Sequence, residues 1–334
     1  MTKRINLALQ GGGAHGAFTW GVLERLLEDE AVEIAAISGT SAGALNGAAL
    51  KAGIIHGGRQ GAIDNLNWLW AQMGGALGEM AEWFSPAAPA VAAALSYSPV
   101  YATLDIASRM MSPYAWGPAY DNPLRRVVER FSWDEVCAAD GPELHICATN
   151  VRSGKIRVFS GDQIGPDPIL ASACLPTLFQ AVRIDGDAYW DGGYTGNPAL
   201  FPLFAPHLPD DIMIVNINPL ERADLPRDPQ EIQNRINEIS FNASLLRELR
   251  AIAFVKRLIA EGSMERGRMK DVLVHMIADD PLMNQLNVAT KLLPNPVIIA
   301  RLKAAGRDAA DAFLAAHRDD LNQVATVDLR AMLD

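Results

Sequence analysis

The sequence is poor in cysteine and has no long apolar run. Its 334 residues include three cysteines, Cys137, Cys147 and Cys174, without the C-x-x-C spacing of metal or redox sites. We therefore expect reduced thiols and no metal ion. No run reaches the ~18–20 apolar residues of a membrane-spanning helix, and the apolar run near the N-terminus is too short for a signal peptide. These absences predict a cytoplasmic protein.

Positive charge is also scarce. The chain has 29 Lys and Arg against 39 Asp and Glu, a formal net charge of −10. Nucleic-acid binding needs a basic surface, so this balance argues against it. It also argues against docking on anionic lipid through a polybasic patch. Any membrane contact is therefore expected to use apolar side chains.

Strand and helix patterns alternate along the first 52 residues. Short apolar runs at 5–9 and 32–37 predict buried strands, and residues 15–28 and 42–52 have helical character. Further strands are predicted at 144–149, 156–159, 181–184, 212–217 and 272–277. Strands and helices that alternate in this way indicate an α/β domain with a parallel sheet.

The last third of the chain is predicted to be mainly helical. Apolar residues recur every three or four positions at Ile232, Ile236, Ile239, Ala243, Leu246 and Leu249. This pattern predicts an amphipathic helix that ends before Gly262, and Asn295-Pro296 begins a final helix. Without a repeat or a polar linker, we expect one domain over residues 1–334, with a core at about 5–205 and a helical elaboration at about 220–334.

The first motif with chemical meaning is Gly39-Thr40-Ser41-Ala42-Gly43, a G-x-S-x-G between a predicted strand and a predicted helix. A nucleophile on such a sharp turn has strained dihedral angles, and flanking glycines relieve the crowding. The helix N-terminus also favours the anion that forms during attack. A small-residue turn with Ser41 as an N-cap is the alternative, and the motif alone leaves both open.

The second motif is Gly11-Gly12-Gly13-Ala14-His15-Gly16. Its backbone N–H groups suit an oxyanion hole, which needs donors unobstructed by side chains. The same residues fit the G-x-G-x-x-G turn of dinucleotide-binding proteins. That alternative requires an acidic residue near the end of the second strand. The second strand here runs into Ile37-Ser38-Gly39-Thr40-Ser41 without a carboxylate, so the sequence favours the oxyanion hole.

A serine nucleophile needs a base, usually histidine. None of the six histidines, at 15, 56, 145, 207, 275 and 317, lies in a setting typical of a triad loop. Asp191-Gly192-Gly193, at the end of a predicted strand, is the other candidate. Asp in water, with a pKa near ~3.9, is a weak base and becomes effective when desolvated and hydrogen-bonded to the serine. Asp-Gly is also a common turn, so the residues alone leave the base open.

The three motifs in this order resemble those of bacterial patatin-like phospholipases. The resemblance covers about residues 5–205 and includes the segments Ala171–Pro176 and Val182–Gly186. It implies a three-layer α/β/α sandwich with a helical C-terminal extension. It also implies hydrolysis of acyl esters of phospholipids by a Ser41–Asp191 dyad, without metal or cofactor. The remaining implied site residues are the oxyanion donors Gly11, Gly12, Gly13 and Ala42 and the supporting Gly39, Gly43, His15, Gly16, Gly192 and Gly193.

The sequence departs from the family pattern at two positions. Gln10 stands where many members have an acidic residue, and His15 stands where Arg or Lys is usual. A neutral imidazole brings less positive potential to an oxyanion than a guanidinium does.

Two other functions stay open at this stage. One is a Ser-His-Asp carboxylesterase, which an essential histidine would reveal, and the other is a catalytically idle lipid-binding module. The apolar segment 83–117 is predicted to contact acyl chains and to provide any peripheral membrane contact. Its apolar residues are Trp83, Phe84, Pro86, Pro89, Leu95, Tyr97, Val100, Tyr101, Met110, Met111, Tyr114 and Trp116.

Overall fold

The computed structural model describes residues 2–75, 88–96, 98, 111–227, 229–265 and 267–333. The strands in this part of the chain are β1 (Lys3–Leu9), β2 (Val32–Gly39), β3 (Glu143–Asn150), β4 (Ile156–Ser160), β5 (Val182–Ile184), β6 (Asp187–Asp191), β7 (Asp211–Asn216) and β8 (Leu273–Ala278). The helices are α1 (Gly16–Glu28), α2 (Ala42–Trp70), α3 (Ala88–Ser96), α4 (Arg125–Val128), α5 (Trp133–Val136), α6 (Pro166–Ser172), α7 (Pro229–Ala260), α8 (Asp280–Met283), α9 (Val288–Leu292), α10 (Pro296–His317) and α11 (Leu329–Leu333). Short 3₁₀ turns at Gly13–His15 and Gly192–Tyr194 follow β1 and β6.

The described strands form one sheet in the order β5-β6-β3-β2-β1-β7-β8, with β4 paired to β3. Strand β1 lies between β2 and β7 and is parallel to both. The pairs β2–β3 and β7–β8 are also parallel, whereas β4 and β6 pair with β3 in the antiparallel sense. The sheet is therefore mostly parallel, as the sequence predicts.

Both faces of the sheet are covered. Because side chains alternate along a strand, Leu7 and Leu9 of β1 join α1, α2 and α10 in one buried apolar cluster. Ala8 points the other way and packs with Ile212 and Ile214 of β7 against α7. Two clusters on opposite faces make the fold an α/β/α sandwich, which confirms the predicted fold class.

Helix α10 packs against α1 so closely that the two backbones touch. A Cβ atom on Gly21 of α1 would lie 2.0 Å from the carbonyl oxygen of Lys303. Reciprocally, a Cβ on Gly306 of α10 would lie 2.0 Å from the carbonyl oxygen of Phe18. The C-terminal third thus adds both strand β8 and a core helix to the same sandwich.

In the first half of α7, the apolar repeat does not lie on the buried face of the helix. Ile232, Ile236 and Ile239 are exposed, at 42%, 54% and 55% respectively. The polar Asn242 is instead buried, together with Leu249 further along the helix. The amphipathic pattern predicts the helix but not the orientation of its first half.

Two helix boundaries show what local sequence determines. Asn295 caps α10 as predicted, because its side chain accepts hydrogen bonds from the N–H groups of Val297 and Ile298. Helix α2 extends to Trp70, beyond the predicted end at residue 52, and is kinked at Gly57 and the residue after it.

Much of the apolar segment 83–117 lies outside the described residues. Among its described members, Met111 and Tyr114 are exposed, and the Tyr114 hydroxyl accepts a hydrogen bond from the Ala181 N–H at 3.0 Å. None of the described helices is both long enough and apolar enough to cross a membrane.

The contact between α1 and α10 predicts an unusual response to alanine. In an open helix, changing glycine to alanine stabilises by about 1 kcal/mol. In Gly306→Ala, the new methyl group would collide with the Phe18 carbonyl, so we expect the free energy of unfolding to fall by about 2 kcal/mol. Urea denaturation followed by circular dichroism measures this change. The control is Gly57→Ala, where no atom lies within 4 Å of the added Cβ. Equal denaturation midpoints for the two variants would contradict the close packing.

Candidate active site

Ser41 lies at the sharp turn between β2 and α2. Its dihedral angles are φ 54° and ψ −118°, a conformation that costs a non-glycine residue about 1–3 kcal/mol. The Ser41 N–H donates to the Ser172 hydroxyl at 2.9 Å, and the Thr40 hydroxyl donates to the Gly196 carbonyl at 2.7 Å. These bonds hold a strained serine at the N-terminus of a long helix.

The glycines on either side of Ser41 allow close backbone contacts. A Cβ on Gly43 would lie 2.1 Å from the carbonyl oxygen of Leu9, at the end of β1. A Cβ on Gly39 would lie 2.6 Å from the Gly43 carbonyl oxygen. Side chains at these positions would therefore force the turn apart.

Asp191 ends β6 in a buried position beside Ser41. Its side chain is 1% exposed, and Oδ1 accepts a hydrogen bond from the Gly193 N–H at 2.8 Å. The backbone is held on both sides, because the Asp191 N–H donates to the Cys174 carbonyl and its own carbonyl accepts from the Thr149 hydroxyl at 2.8 Å. The carboxylate therefore has a defined orientation and very little water.

Burial dominates the acidity of Asp191. Desolvation raises the pKa of this carboxyl to about 7, against the opposing effects of hydrogen bonds from the Gly193 N–H and the Ser41 side chain. The effect of the Ser41 side chain on this pKa places the two residues that the sequence selects close together. A carboxyl with this pKa can accept a proton near neutral pH, which an exposed carboxylate does poorly.

The two residues after Asp191 are also closely approached. A Cβ on Gly192 would lie 2.3 Å from the Cys147 carbonyl oxygen, and one on Gly193 would lie 2.0 Å from the Phe241 ring. The Phe241 ring in turn lies 5.5 Å from that of Tyr194, centroid to centroid. Helix α7 thus reaches the aspartate turn.

The glycine loop after β1 lies against the Ser41 turn. The N–H of Gly11, one of the predicted oxyanion donors, already donates to Asn197 Oδ1 at 2.6 Å and is therefore not free to bind a ligand in this structure. In the described part of the chain, the N–H groups of Gly12, Gly13 and Ala42 have no acceptor. Gly12 is half-buried, Gly13 is exposed and Ala42 is buried, so the donors of the two glycines are open to a ligand and that of Ala42 lies beneath the surface. Gly16 starts α1, where an added Cβ would lie 2.6 Å from the Ala42 Cβ.

The hydrogen bonds of Gln10 explain why it stands where many family members have an acidic residue. Its Oε1 accepts from the N–H groups of Ile217 and Asn218, at 2.9 and 3.1 Å, and from Asn218 Nδ2. Its Nε2 donates to Asn242 Oδ1 at 3.1 Å and to the Asn197 carbonyl. A side chain that must both accept and donate cannot be a carboxylate. Gln10 is therefore the centre of a buried amide network behind the loop.

His15 is buried and neutral. Burial lowers the pKa of His15 well below its ordinary value, and the nearby Lys291 lowers it further. Nε2 lies 2.8 Å from the Thr290 hydroxyl, which donates to the Asn287 carbonyl, so Nε2 carries the proton. His15 therefore ties the loop to α9 and brings no charge to it.

The other histidines are engaged away from Ser41. Their partners are Glu135 for His56, Glu143 for His145 and His207, Asp211 for His275, and Asp320 for His317. Within the described residues, no group of three or more His, Cys, Asp or Glu side chains is arranged to hold a metal ion. The three cysteines are free.

Several residues around the site carry no motif in the sequence. From distant parts of the chain, Asn197 and Asn218 bind Gly11, and Asn242 binds the preceding Gln10. Ser172, which supports Ser41, lies within the segment Ala171–Pro176 that already carries the family resemblance. The asparagines have no comparable local signal.

Comparison with known proteins gives one family match. A family model for patatin-like phospholipase matches residues 7–204. No curated protein matches the sequence. Among solved structures, that of VipD from Legionella pneumophila is similar at 16% identity and a TM-score of 0.44, over 94% of this chain and 67% of its own.

The molecule is thus an α/β/α protein with a serine at a strand-to-helix turn beside a buried carboxyl group. The family model covers more than half of the chain, and the chain belongs to the patatin-like phospholipase family. Lipid acyl hydrolysis is the activity associated with this family.

The buried carboxyl group predicts a pH-dependent gain in stability for Asp191→Asn. Because the folded pKa, about 7, lies above the unfolded value, the stability present at acidic pH is lost as pH rises through 7. Asparagine keeps the acceptor for Gly193 but has no charge. We expect the variant to exceed the wild-type free energy of unfolding by up to about 4 kcal/mol at pH ~8.5, and by little at pH ~4.5.

Denaturant titrations at the two pH values measure this difference. The matched control is Asp187→Asn at the other end of β6, where the carboxylate is 46% exposed. A pH-independent difference between Asp191→Asn and wild type would contradict the burial argument.

Proposed function

We propose that the chain is a lipid acyl hydrolase in which Ser41 is the nucleophile and Asp191 is the general base. The observation that carries this proposal is the buried Asp191 carboxyl, whose Oδ1 accepts from the Gly193 N–H at 2.8 Å and whose pKa, raised by burial to about 7, is lowered in part by the Ser41 side chain. Both residues lie in turns that allow close backbone contacts. An acyl ester of a phospholipid or lysophospholipid is the proposed substrate, in keeping with the family.

In the first step, Asp191 accepts the Ser41 hydroxyl proton as Oγ attacks the ester carbonyl. The carbonyl electron pair moves onto oxygen, and the N–H groups of Gly12, Gly13 and Ala42 donate to this oxyanion. Collapse of the intermediate breaks the ester C–O bond. Asp191 returns the proton to the leaving alcohol, and the acyl group is left on Ser41 as an ester.

In the second step, water repeats the same chemistry. Asp191 removes a proton as the water oxygen attacks the acyl carbon, and the oxyanion forms at the same N–H groups. The Ser41–acyl bond then breaks, the fatty acid departs, and the proton returns to Ser41 Oγ. The neutral and ionised forms of one carboxyl group serve both steps.

The two alternatives explain fewer observations. A Ser-His-Asp esterase requires a histidine on Ser41, whereas all six histidines are hydrogen-bonded or ion-paired to other residues. An idle binding module does not account for the positive φ of Ser41 beside a buried carboxyl, since both features cost stability.

The dyad is tested with a fluorophosphonate probe and a short soluble ester. Ser41→Ala should lose both labelling and turnover. Asp191→Asn should lose nearly as much turnover, because the two residues act as one unit, with a decrease of about 10³-fold or more. Activity at the wild-type level in Ser41→Ala would refute the proposal.

Histidine variants serve as the matched controls. His56→Ala and His207→Ala remove exposed imidazoles and should keep full activity. A folded histidine variant with a loss as large as that of Ser41→Ala would favour the triad esterase. Labelling without ester turnover would favour a different substrate bond.

We further propose that the protein is cytoplasmic and that it contacts lipid through the apolar segment 83–117. With a net charge of −10, apolar contact is the available means of binding an anionic surface. Replacing Trp83 and Phe84 with serine should lower activity on long-chain esters about 10-fold or more, while a short soluble ester is hydrolysed at the wild-type rate. Equal losses on both esters would assign the segment a structural role only.

A further inference from the structure

Lys291 lies against the glycine loop although it is far from it in sequence. It belongs to α9, outside the residues 7–204 that the family model matches. The helix approaches the loop so closely that a Cβ on Gly13, which has φ 57°, would lie 2.4 Å from the Lys291 carbonyl oxygen. The adjacent Thr290 binds His15. Two consecutive residues of α9 therefore contact the turn that offers the oxyanion donors.

The Lys291 ammonium also reaches the loop through Asn218. Lys291 Nζ donates to Asn218 Oδ1 at 2.8 Å. On the other end of the same amide, Asn218 Nδ2 donates to the Gly11 carbonyl at 2.9 Å and to Gln10 Oε1 at 3.1 Å. An ammonium group donates hydrogen bonds and cannot accept them, so Lys291 can bind only the oxygen of that amide. Lys291 thereby fixes which end of Asn218 faces Gly11.

The charges around Lys291 leave it as the net positive group beside the loop. Glu238 of α7 is the acid that faces it, and Arg222 is the neighbouring base. Glu238 is already paired with Arg222 at 2.5 Å and with Arg235 at 3.2 Å. His15, from the turn after β1, is neutral. The negative charge of Glu238 is thus balanced by the two arginines, and the positive charge of Lys291 is not neutralised.

Lys291 is also poised to titrate. Desolvation lowers the pKa of Lys291 to about 8, with Glu238 raising it and Arg222 lowering it. The ammonium is therefore mostly charged at pH 7 and loses its proton as the pH rises through about 8. Lys291 is half-buried by accessible surface, and its ammonium is held at Asn218 at 2.8 Å.

We propose that Lys291 is a positioning residue of the active site, whose ammonium orients the Asn218 amide that holds Gly11 and whose charge favours the oxyanion beside Gly12 and Gly13. The inference rests on the proposed function, because it assigns Lys291 to the loop that serves Ser41. It also gives the chain a source of the positive potential that a neutral His15 does not provide.

The experiment measures kcat and KM on a short soluble ester between pH 6 and 9.5 for wild type, Lys291→Met and Lys291→Arg. Wild type should show a rise near pH 7, where Asp191 ionises, and a fall near pH 8, where Lys291 loses its charge. Lys291→Met should lower kcat about 10-fold or more with little change in KM, and should lack the alkaline fall. Lys291→Arg should keep more of the activity and shift the alkaline fall beyond pH ~9, because guanidinium stays charged.

Lys256→Met is the matched control. That lysine lies on α7, where its ammonium binds Asp271 Oδ1 at 2.7 Å and the Val272 carbonyl, and its loss should leave the pH profile unchanged. Thermal unfolding of every variant separates a loss of activity from a loss of fold. If Lys291→Met does not fold, Lys291→Arg alone decides through the position of the alkaline fall.

An alkaline fall that is the same in wild type and Lys291→Arg would overturn the inference. A Lys291→Met variant with wild-type kcat would do so as well. Ser41→Ala, assayed in parallel, separates this failure from that of the proposed function: if it is inactive while the Lys291 variants behave as wild type, only the inference is wrong. If Ser41→Ala is active, the proposed function itself fails.

Discussion

The close approach of helix α2 to the end of strand β1 is the constraint on which the site depends. Glycine at position 43 lets the helix backbone meet the Leu9 carbonyl, and the glycine loop begins two residues after Leu9. The same approach brings Gly11 against Ser41, since a Cβ at Gly11 would lie 2.7 Å from the Ser41 Cβ. Ser41 and the glycine loop are therefore held together by the backbone itself. Larger residues at this junction would separate them.

The second constraint is electrostatic. A carboxyl group that is almost fully buried has few partners, and its environment disfavours ionisation. The same desolvation that raises the pKa of Asp191 to about 7 makes the folded protein less stable above neutral pH. The strained Ser41 turn acts in the same direction, because both features raise the free energy of the native state. The wide apolar clusters on both faces of the sheet provide the stability that offsets them.

The features that the sequence predicts are local ones. The strand, turn and helix around Ser41 are recognisable because glycine spacing and apolar runs report directly on backbone geometry. Asp191 follows from the same logic, with the family resemblance deciding against a simple turn. The predicted sheet and its covering helices are confirmed for the same reason, since each strand carries its own apolar run.

The amide network behind the loop could not be predicted. Gln10, Asn197, Asn218 and Asn242 meet through contacts between residues about 20 to 230 positions apart, and an isolated asparagine gives no sign of its partner. The same long-range contacts explain why the Gly11 N–H already has an acceptor. The sequence also does not show which face of α7 is exposed. The polar Asn242 is buried there because it binds Gln10, which is distant in the sequence.

The position of strand β7 has a consequence for dissecting this protein. The family model ends at residue 204, but β7 begins at Asp211. Strand β7 pairs with β1 along the edge of β1 that faces away from β2. A fragment cut at residue 204 would leave that edge unpaired, with the backbone groups of β1 free to bind other chains. Ile5 and Leu7, fully buried in the intact sheet, would lose part of their cover as well. The boundary of sequence similarity is thus not a boundary of folding, and a shortened protein is expected to aggregate.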